Sequence, residues 1–569
     1  MASTSSAAEA ERDTMFELAK ELRLDNDMAS TSSATDTSRD GKGKAKAETE
    51  EELMFQFAQR LRLVHNLSAF DQSVSREYVR YMFLFDFPVV SQTTVEHATA
   101  AVRRGLEVAF TYYPFLTGML GPVDPTTCDR VLLRYGDTEV MRQIRDEIFK
   151  VRIQKHNPLI GDYERLCKAG MPTSCLAMED YCATKPDWKL PRWIPVLALQ
   201  MNFLDDSGLI LCLAIQHSVA DTTSIDFFLN VFATGIRGEF TKDTAGVYHN
   251  AGIDSMFEAE VNERASTVLP KEIAEWDLAG TGSPPQNEAD SHIMAMSATL
   301  VREMQRRINK CLEDLGVGPH SVSATECIYA LLLVYITRAR HLSPPMPSDH
   351  DIVFTTAINI RNKFGDDAML WQFGNVIATV ATVQRAGEII SKDRAAVSQS
   401  LKYIAFVAYK IRYSNHTFTR DSILNRLTIL SNMKNPAEIP VAANRACLPA
   451  VSGVKFESLA NLGADIDFGI PGTINAAGDR RPRGCRRPWM HDMGTINILP
   501  RKGGTEGDAD WEILLCFPDK VMQIFTGPEE FGQFLRGYVL EKDPTTFWRR
   551  WLLGVRRLYV EGTERTIYD

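Results

Sequence analysis

The sequence has none of the short motifs that mark several large enzyme classes. It lacks the G-x-S-x-G turn of serine hydrolases, the G-x-x-x-x-G-K-[ST] phosphate-binding loop, the H-E-x-x-H helix of zinc peptidases and a complete G-x-G-x-x-G dinucleotide fingerprint. These absences remove most of the support for hydrolase, P-loop, zinc-peptidase and dinucleotide-dependent functions.

Paired cysteines and long apolar runs are also missing. The ten cysteines are scattered between Cys128 and Cys516 without a C-x-x-C pair, which predicts reduced packing residues and no metal site. The longest apolar run, at 327–337, falls well short of the ~20 residues that a membrane-spanning helix needs. No hydrophobic segment near the N-terminus resembles a secretory signal. We therefore expect a cytoplasmic protein with no membrane span.

A basic excess is absent as well, since the formal net charge is −10. Nucleic acids and anionic membranes favour basic surfaces, so this balance argues against both partners. The chain has 569 residues, of which 44% are hydrophobic and 24% charged. This length and composition predict an ordinary globular protein with at least two domains and an interface that could hold a substrate.

The first part of the chain contains a duplication. The heptapeptide MASTSSA occurs at 1–7 and 28–34, and MFELAKELRL at 15–24 returns as MFQFAQRLRL at 54–63. Residues 36–52 between these copies are rich in Ser, Thr, Lys, Gly, Asp and Glu and cannot bury much apolar surface. We predict that residues 1–52 form a disordered tail, and a partner-docking helix within it is the alternative.

The rest of the chain shows the mixed periodicity of an α/β protein. We predict helices at 95–112, 323–339, 388–411 and 528–539, and strands at 196–204, 209–216, 351–360, 376–384, 495–500 and 511–517. Another helix begins near 222, with Thr222, Thr223 or Ser224 as its N-cap. Residues 238–292 have weak periodicity and are predicted to cross between an N-terminal domain at 53–237 and a C-terminal domain at 293–569.

The sharpest candidate for chemistry is HSVAD at 217–221, where His217 follows a predicted buried strand and Asp221 comes four residues later. An imidazole at the rim of a cleft suits a general base, because histidine titrates near working pH. The pattern alone is weak, since a histidine at a strand end is often only a packed residue.

Six separated segments in order give the motif a family context. They are LSAFDQ at 67–72, YPFLTG at 113–118, HSVAD at 217–221, INIR at 358–361, FGN at 373–375 and DFG at 467–469. In these segments the chain resembles BAHD-type acyltransferases, in particular the fungal branch that includes trichothecene 3-O-acetyltransferases. The resemblance implies a two-domain, chloramphenicol-acetyltransferase-like α/β fold with mixed sheets and a tunnel between the domains.

The resemblance also implies a reaction and a set of residues. His217 would deprotonate an acceptor alcohol or amine, which then attacks the thioester of acyl-CoA, most commonly acetyl-CoA, with no permanently bound cofactor. Asp221 would turn away from the acceptor and pair with Arg361 to brace the base. Asp467, Phe468 and Gly469 would form a structural loop away from the chemistry.

Two departures from the family pattern stand in these motifs. Thr222 replaces the glycine that follows the aspartate, where it is an acceptable start for a helix. The D-F-G-W-G signature is reduced to DFGIPG at 467–472, which leaves the loop conformation open.

Further residues are candidates for ligand contact. Ser458 or Asn375 could contact substrate or its oxyanion, although a glycine turn that supports strand packing explains the FGN segment equally well. Arg480, Arg481 and Arg483, in a basic cluster with Arg486 and Arg487, could meet the phosphates of coenzyme A, and a solvated loop is the alternative.

We therefore predict a monomeric O-acyltransferase that acts on a secondary metabolite. One alternative is a condensation-type enzyme that takes acyl groups from a carrier protein, although such domains usually show a doubled histidine and Gln216 precedes His217 here. The other is a non-catalytic protein that retains the fold.

Overall fold

The computed structural model describes most of the chain between residues 58 and 540. The described part has gaps at 137–147, 155–162, 173–175, 177, 185–187, 205–206, 240–252, 266–272, 274–289, 318–320, 343–346, 391–396, 438–452, 475–477, 479, 488–492, 504–508 and 536. The predicted tail at 1–52 lies outside the described residues, as does most of the predicted crossover at 238–292.

The described residues alternate between strands and helices in chain order, as an α/β protein requires. The strands are β1 Leu63–His65, β2 Tyr78–Asp86, β3 Met119–Pro122, β4 Val131–Tyr135, β5 Phe149–Gln154, β6 Ile194–Pro195, β7 Leu197–Leu204, β8 Gly208–Gln216, β9 Asp290–Met296, β10 Asp351–Asn359, β11 Ile377–Arg385, β12 Val454–Ser458, β13 Gly484–Arg486, β14 Thr495–Ile498, β15 Trp511–Phe517 and β16 Gly537–Leu540. The α-helices are α1 Ala69–Ser73, α2 Gln92–Tyr112, α3 Tyr163–Lys168, α4 Met178–Tyr181, α5 Thr222–Arg237, α6 Ile253–Met256, α7 Glu258–Arg264, α8 Ala298–Asp314, α9 Ala324–His341, α10 Ala386–Ile389, α11 Val397–Thr417, α12 Arg420–Asn432 and α13 Asp519–Phe525.

Three sheets organise these strands. The N-terminal half builds a five-stranded sheet in the order β13-β2-β8-β7-β5 and a four-stranded sheet in the order β1-β4-β3-β6. The C-terminal half builds a seven-stranded sheet in the order β11-β10-β12-β14-β15-β9-β16. Strand β13 comes from the C-terminal half yet pairs antiparallel with β2, so the chain returns to the first sheet before it ends. The predicted two-domain α/β architecture with mixed sheets is confirmed, whereas the exact domain boundaries stay a prediction.

Strand β8 shows why the site lies where it does. It is paired along its length with β2 on one side and β7 on the other, and all nine of its residues are buried. A strand buried on both faces reads as a continuous apolar run, which is how residues 209–216 appear in the sequence. The chain leaves the sheet at His217, at the end of a buried central strand.

Two helix predictions at the C-terminal side are wrong. The predicted helix at 388–411 is two helices, because the N–H of Ile390 caps α10 on the carbonyl of Ala386 and α11 begins only at Val397. The predicted helix at 528–539 is a 3₁₀ turn at Phe531–Phe534 followed by strand β16. Glycines are poor helix formers, and pairing with the edge of β9 satisfies the backbone there instead.

Separate apolar cores lie in the two halves. One packs β2, β7 and β8 against α2 and α5, and the other packs the seven-stranded sheet against α8, α9 and α11. A third, smaller cluster joins them, since it holds Ala69 and Phe70 from the N-terminal half beside Ile360 and Val376 from the C-terminal half. The two halves are therefore held together by an apolar contact close to the end of β8.

Candidate functional site

His217 lies partly buried at the end of β8, where its backbone N–H and its ring each contact a carbonyl group. Its N–H donates to the carbonyl of Glu77 at 3.0 Å, and its Nδ1 lies 3.3 Å from the carbonyl oxygen of Ala220. A carbonyl can only accept, so this contact requires a hydrogen on Nδ1 and leaves the lone pair on Nε2. Burial lowers the pKa of His217 below its usual range, which favours the neutral imidazole. A neutral ring with a free lone pair is the form that a general base needs.

Three charged side chains from the C-terminal half face this imidazole. Lys455 and Glu457 lie on β12, with Lys455 Nζ 2.8 Å from Glu457 Oε1, and Arg487 Nη1 lies 3.2 Å from the other carboxylate oxygen. Burial by itself raises the pKa of Glu457, but the two cations outweigh it and lower that pKa to about 2. Glu457 therefore stays ionised beside His217 and raises the histidine's pKa, while Lys455 and Arg487 lower it.

Asp221 and Arg361 form a buried ion pair behind the base. Arg361 Nη1 donates to Asp221 Oδ2 at 2.8 Å and Nη2 donates to Oδ1 at 3.0 Å, and the two side chains are 2% and 1% exposed. Nε also donates to the carbonyl of Gln372, Nη1 to Asn359 Oδ1, and Nη2 to Ser224 Oγ and the carbonyl of Gly374. The pair thus connects the start of α5 with the end of β10, and the contact that the resemblance implies is present.

Asp221 also caps the N-terminus of α5, a role that the sequence pattern predicted for other residues. Its Oδ1 accepts from Ser224 N at 2.8 Å, so Asp221 is the N-cap of α5 and the predicted cap at Thr222, Thr223 or Ser224 is wrong. Thr222 opens the helix instead, as its position after the aspartate allows. A carboxylate at the positive end of a helix is favourable in its own right, which lets one side chain both cap the helix and pair with Arg361.

Asn375 is not placed to donate to a substrate. The residue is fully buried, and its Nδ2 donates to Asp71 Oδ1 at 2.9 Å and to the carbonyl oxygen of His217 at 2.7 Å. Both partners can only accept, so the orientation of the amide is determined and both hydrogens are used. These two bonds argue against donation from Asn375 Nδ2 to an oxyanion, and a substrate contact by Asn375 stays a prediction.

Ser458 lies at the exposed end of β12, one residue beyond Glu457, and hydrogen-bonds the phenol of Tyr329. Its role as a substrate or oxyanion contact stays a prediction.

The loop at 467–469 packs against the N-terminal sheet. Phe468 is buried with its ring 5.3 Å and 5.4 Å from the ring centres of Phe83 and Phe85, and Asp467 Oδ1 accepts from Gly469 N at 2.8 Å. Gly469 has φ +64°, and a Cβ there would lie 2.2 Å from Arg237 Cγ. Glycine is therefore required by both conformation and space. These contacts are those of a packed loop.

The arginines at 480–487 do not form one basic patch. Arg486 is 2% exposed and makes two 2.8 Å bonds to the carboxylate of Glu512, while Arg487 turns toward Glu457. Arg483 contacts the carboxylates of Asp86 and Glu164, each at 3.1 Å, which argues against its predicted role with coenzyme A phosphates. That role stays a prediction for Arg480, which is exposed, and for Arg481.

Lys455, Glu457 and Asp71 are residues of the site that were not predicted from the sequence. A Lys-x-Glu alternation on a short strand is a signal that both side chains share one face, but nothing in the sequence directs that face to His217. Among the described residues, no group of three or more His, Cys, Asp or Glu could hold a metal ion. Within the same ranges, no helix has the length and apolar character needed to cross a membrane.

Comparisons with known proteins point in one direction. A model of the Transferase family matches residues 181–438. Acyltransferase easC from Emericella nidulans is 27% identical over 495 residues, which covers 82% of this chain and 95% of easC. Acyltransferase cm3D from Cordyceps militaris is 27% identical over 174 residues, so the match spans 30% of this chain and only 35% of cm3D.

A solved structure shows the same fold. The crystal structure of F. graminearum TRI101 complexed with coenzyme A and deoxynivalenol superposes with a TM-score of 0.66 at 18% identity, over 84% of this chain and 100% of TRI101. At this identity, the likeness establishes the fold alone.

Proposed function

Because this chain belongs to the Transferase family of acyltransferases, we propose that it transfers an acyl group from acyl-CoA to a hydroxyl group of a small acceptor, with His217 as the general base. The observation that carries the proposal is the position of the His217 imidazole at the end of β8, where Nδ1 contacts the carbonyl of Ala220 and the ring faces charged side chains of the other half. An acetyl group and a secondary-metabolite acceptor are the specific donor and substrate class that we propose. We expect a monomer in the cytoplasm, which gel filtration and cell fractionation would test.

The proposed reaction needs no covalent intermediate on the protein. Nε2 of His217 takes the proton from the acceptor O–H while the acceptor oxygen attacks the thioester carbon. The tetrahedral intermediate then breaks its C–S bond, and the coenzyme A thiolate leaves and takes up the proton from the imidazolium. A positioned base of this kind contributes ~10²–10⁴-fold, and holding both substrates together supplies much of the remaining acceleration.

The charges around His217 suit this proton transfer. When the base gains a proton, the imidazolium forms next to the ionised carboxylate of Glu457, which stabilises it. Lys455 and Arg487 hold Glu457 in place, and both cations also act on His217 by lowering its pKa. A site with fixed charges of both signs requires little reorganisation during the reaction.

Thiol release tests the proposal directly. Purified protein is mixed with acetyl-CoA and a panel of alcohols, and free coenzyme A and the ester product are measured together. We expect thiol only when donor and acceptor are both present, and we expect His217→Ala to be slower by ~10²–10⁴-fold.

A control separates loss of chemistry from loss of folding. His217→Ala should unfold at a urea concentration close to that of the wild type, because the hydrogen bond that the ring makes within the described part of the chain is one 3.3 Å contact with the carbonyl of Ala220. Equal turnover by wild type and His217→Ala, or transfer that proceeds only from a carrier-protein thioester, would overturn the proposal.

A further inference from the structure

Two of the sequence segments that carry the family resemblance meet next to the main chain of His217. Asp71 of the segment 67–72 accepts from Asn375 N at 2.7 Å and from Asn375 Nδ2 at 2.9 Å. The same amide nitrogen donates to the carbonyl oxygen of His217 at 2.7 Å. The side chain of Asn375 therefore connects the carboxylate of Asp71, in the N-terminal half, with the main chain of His217.

The carboxylate of Asp71 accepts four hydrogen bonds. Besides the two from Asn375, its Oδ2 accepts from Ser68 N at 2.9 Å and from Ser68 Oγ at 2.7 Å. An ionised carboxylate accepts on both oxygens, whereas a carboxamide at this position would present N–H hydrogens to one pair of donors. Burial raises the pKa of Asp71 to about 6, so the group is ionised in an assay at pH 8.

The segment around Asn375 is held on both sides. Ser224 Oγ donates to the carbonyl of Gly374 at 2.8 Å and accepts from Gly374 N at 3.0 Å, and Val376 N donates to Asp221 Oδ2 at 2.9 Å. The backbone on both sides of Asn375 is therefore hydrogen-bonded to the start of α5, which fixes the position of its amide relative to His217. The main chain of His217 makes two hydrogen bonds: its N–H donates to the carbonyl of Glu77, and its carbonyl accepts from Asn375 Nδ2.

We propose that Asp71 and Asn375 are positioning residues that fix the peptide plane after His217 and thereby the direction of its imidazole. The inference rests on the proposed function. Asp71 is 5% exposed and Asn375 is fully buried, which favours a role through His217 over a direct contact with a substrate. Asp71 acts through Asn375, because its carboxylate orients the amide that binds the His217 carbonyl.

The experiment compares kcat per folded molecule for Asn375→Ala, Asp71→Asn and the double variant at pH 8. A base misplaced by ~1 Å can cost about 10²-fold in rate. We expect Asn375→Ala to lose about 10²-fold in kcat with little change in KM for acyl-CoA. We expect the double variant to be no slower than the slower single variant, because the two residues act in series.

Asn202→Ala is the matched control. Asn202 is also a fully buried asparagine whose Nδ2 donates to two carbonyls, those of Tyr181 and Ile210. It lies at the far end of the same sheet, about 20 Å along the strand direction from His217 at ~3.3 Å per residue. It should lose a similar amount of unfolding free energy and keep the wild-type kcat in the folded fraction.

The outcomes are separable. If Asn375→Ala keeps the wild-type kcat, or loses no more than Asn202→Ala, the positioning role is wrong while the acyltransferase proposal stands. If the losses of Asp71→Asn and Asn375→Ala multiply in the double variant, Asp71 does not act through Asn375. If the wild type transfers no acyl group, or His217→Ala is as active as the wild type, the proposed function fails instead.

Discussion

Replacing Asp221 by alanine should destabilise the protein far more than removing an exposed carboxylate from an ion pair of the same length. The carboxylate accepts two bonds from Arg361 and one each from Ser224 N and Val376 N, at 2.8–3.0 Å. Removing one member of a buried pair costs ~3–5 kcal/mol, because the other charge is left without a partner. Loss of the N-cap of α5, worth ~1 kcal/mol, overlaps with this cost.

The size of the effect follows from burial. We expect Asp221→Ala to lower the free energy of unfolding by about 3–5 kcal/mol, against a total of ~5–15 kcal/mol for a typical domain. Urea unfolding followed by circular dichroism measures this loss, and the yield of folded protein should fall with it. The activity of the folded fraction should fall too, because the loop that carries His217 loses its brace.

Asp421→Ala is the control, because Asp421 is also a carboxylate in an arginine ion pair of similar distance but is exposed. Asp421 Oδ1 lies 2.7 Å from Arg264 Nη2, but its side chain is 72% exposed where that of Asp221 is 1% exposed. Exposed pairs are typically worth less than about 1 kcal/mol. An Asp221→Ala protein that is fully active, or that unfolds with the same free energy as Asp421→Ala, would refute the reasoning.

Three further changes have defined outcomes. Glu457→Gln should move the acid limb of the kcat/KM–pH profile to lower pH, because the carboxylate raises the pKa of His217. Lys455→Gln should move the same limb to higher pH, because the ammonium lowers that pKa. Shifts of the same sign in the two variants would contradict this. Burial lowers the pKa of His65 to about 4, so the stability that its neutral ring contributes above pH 6.5 is lost as the pH falls toward 4. His65→Phe should abolish up to about 3 kcal/mol of that dependence, measured as the difference in unfolding free energy from wild type across this range. Gly469→Ala should lower the melting temperature while the kcat of folded enzyme is kept, since the strain at φ +64° lies in a packed loop; an unchanged melting temperature would argue against that strain.

Much of the local structure could be predicted from the sequence. The hairpin of β7 and β8 and the strand Trp511–Phe517 lie within a residue of their predicted bounds, because a buried strand is a continuous apolar run that turn residues delimit. Helices α2 and α9 were predicted for the same kind of reason. The predictions failed at 528–539, where apolar residues suit a helix and a strand equally well and the free edge of β9 decides between them.

The sequence by itself singled out the imidazole of His217 as the candidate base, because it follows a continuous apolar strand, and the resemblance carried by the short motifs implied that Asp221 and Arg361 would support it. Only the tertiary structure decided what surrounds the base. Asp71 and Asn375 are 304 residues apart in the chain and meet through a 2.7 Å bond, and Glu457 reaches His217 from the opposite half. Local patterns record which face of an element is apolar, because neighbours along the chain share that face. They do not record which polar groups from distant elements will meet, because that depends on how the two halves pack.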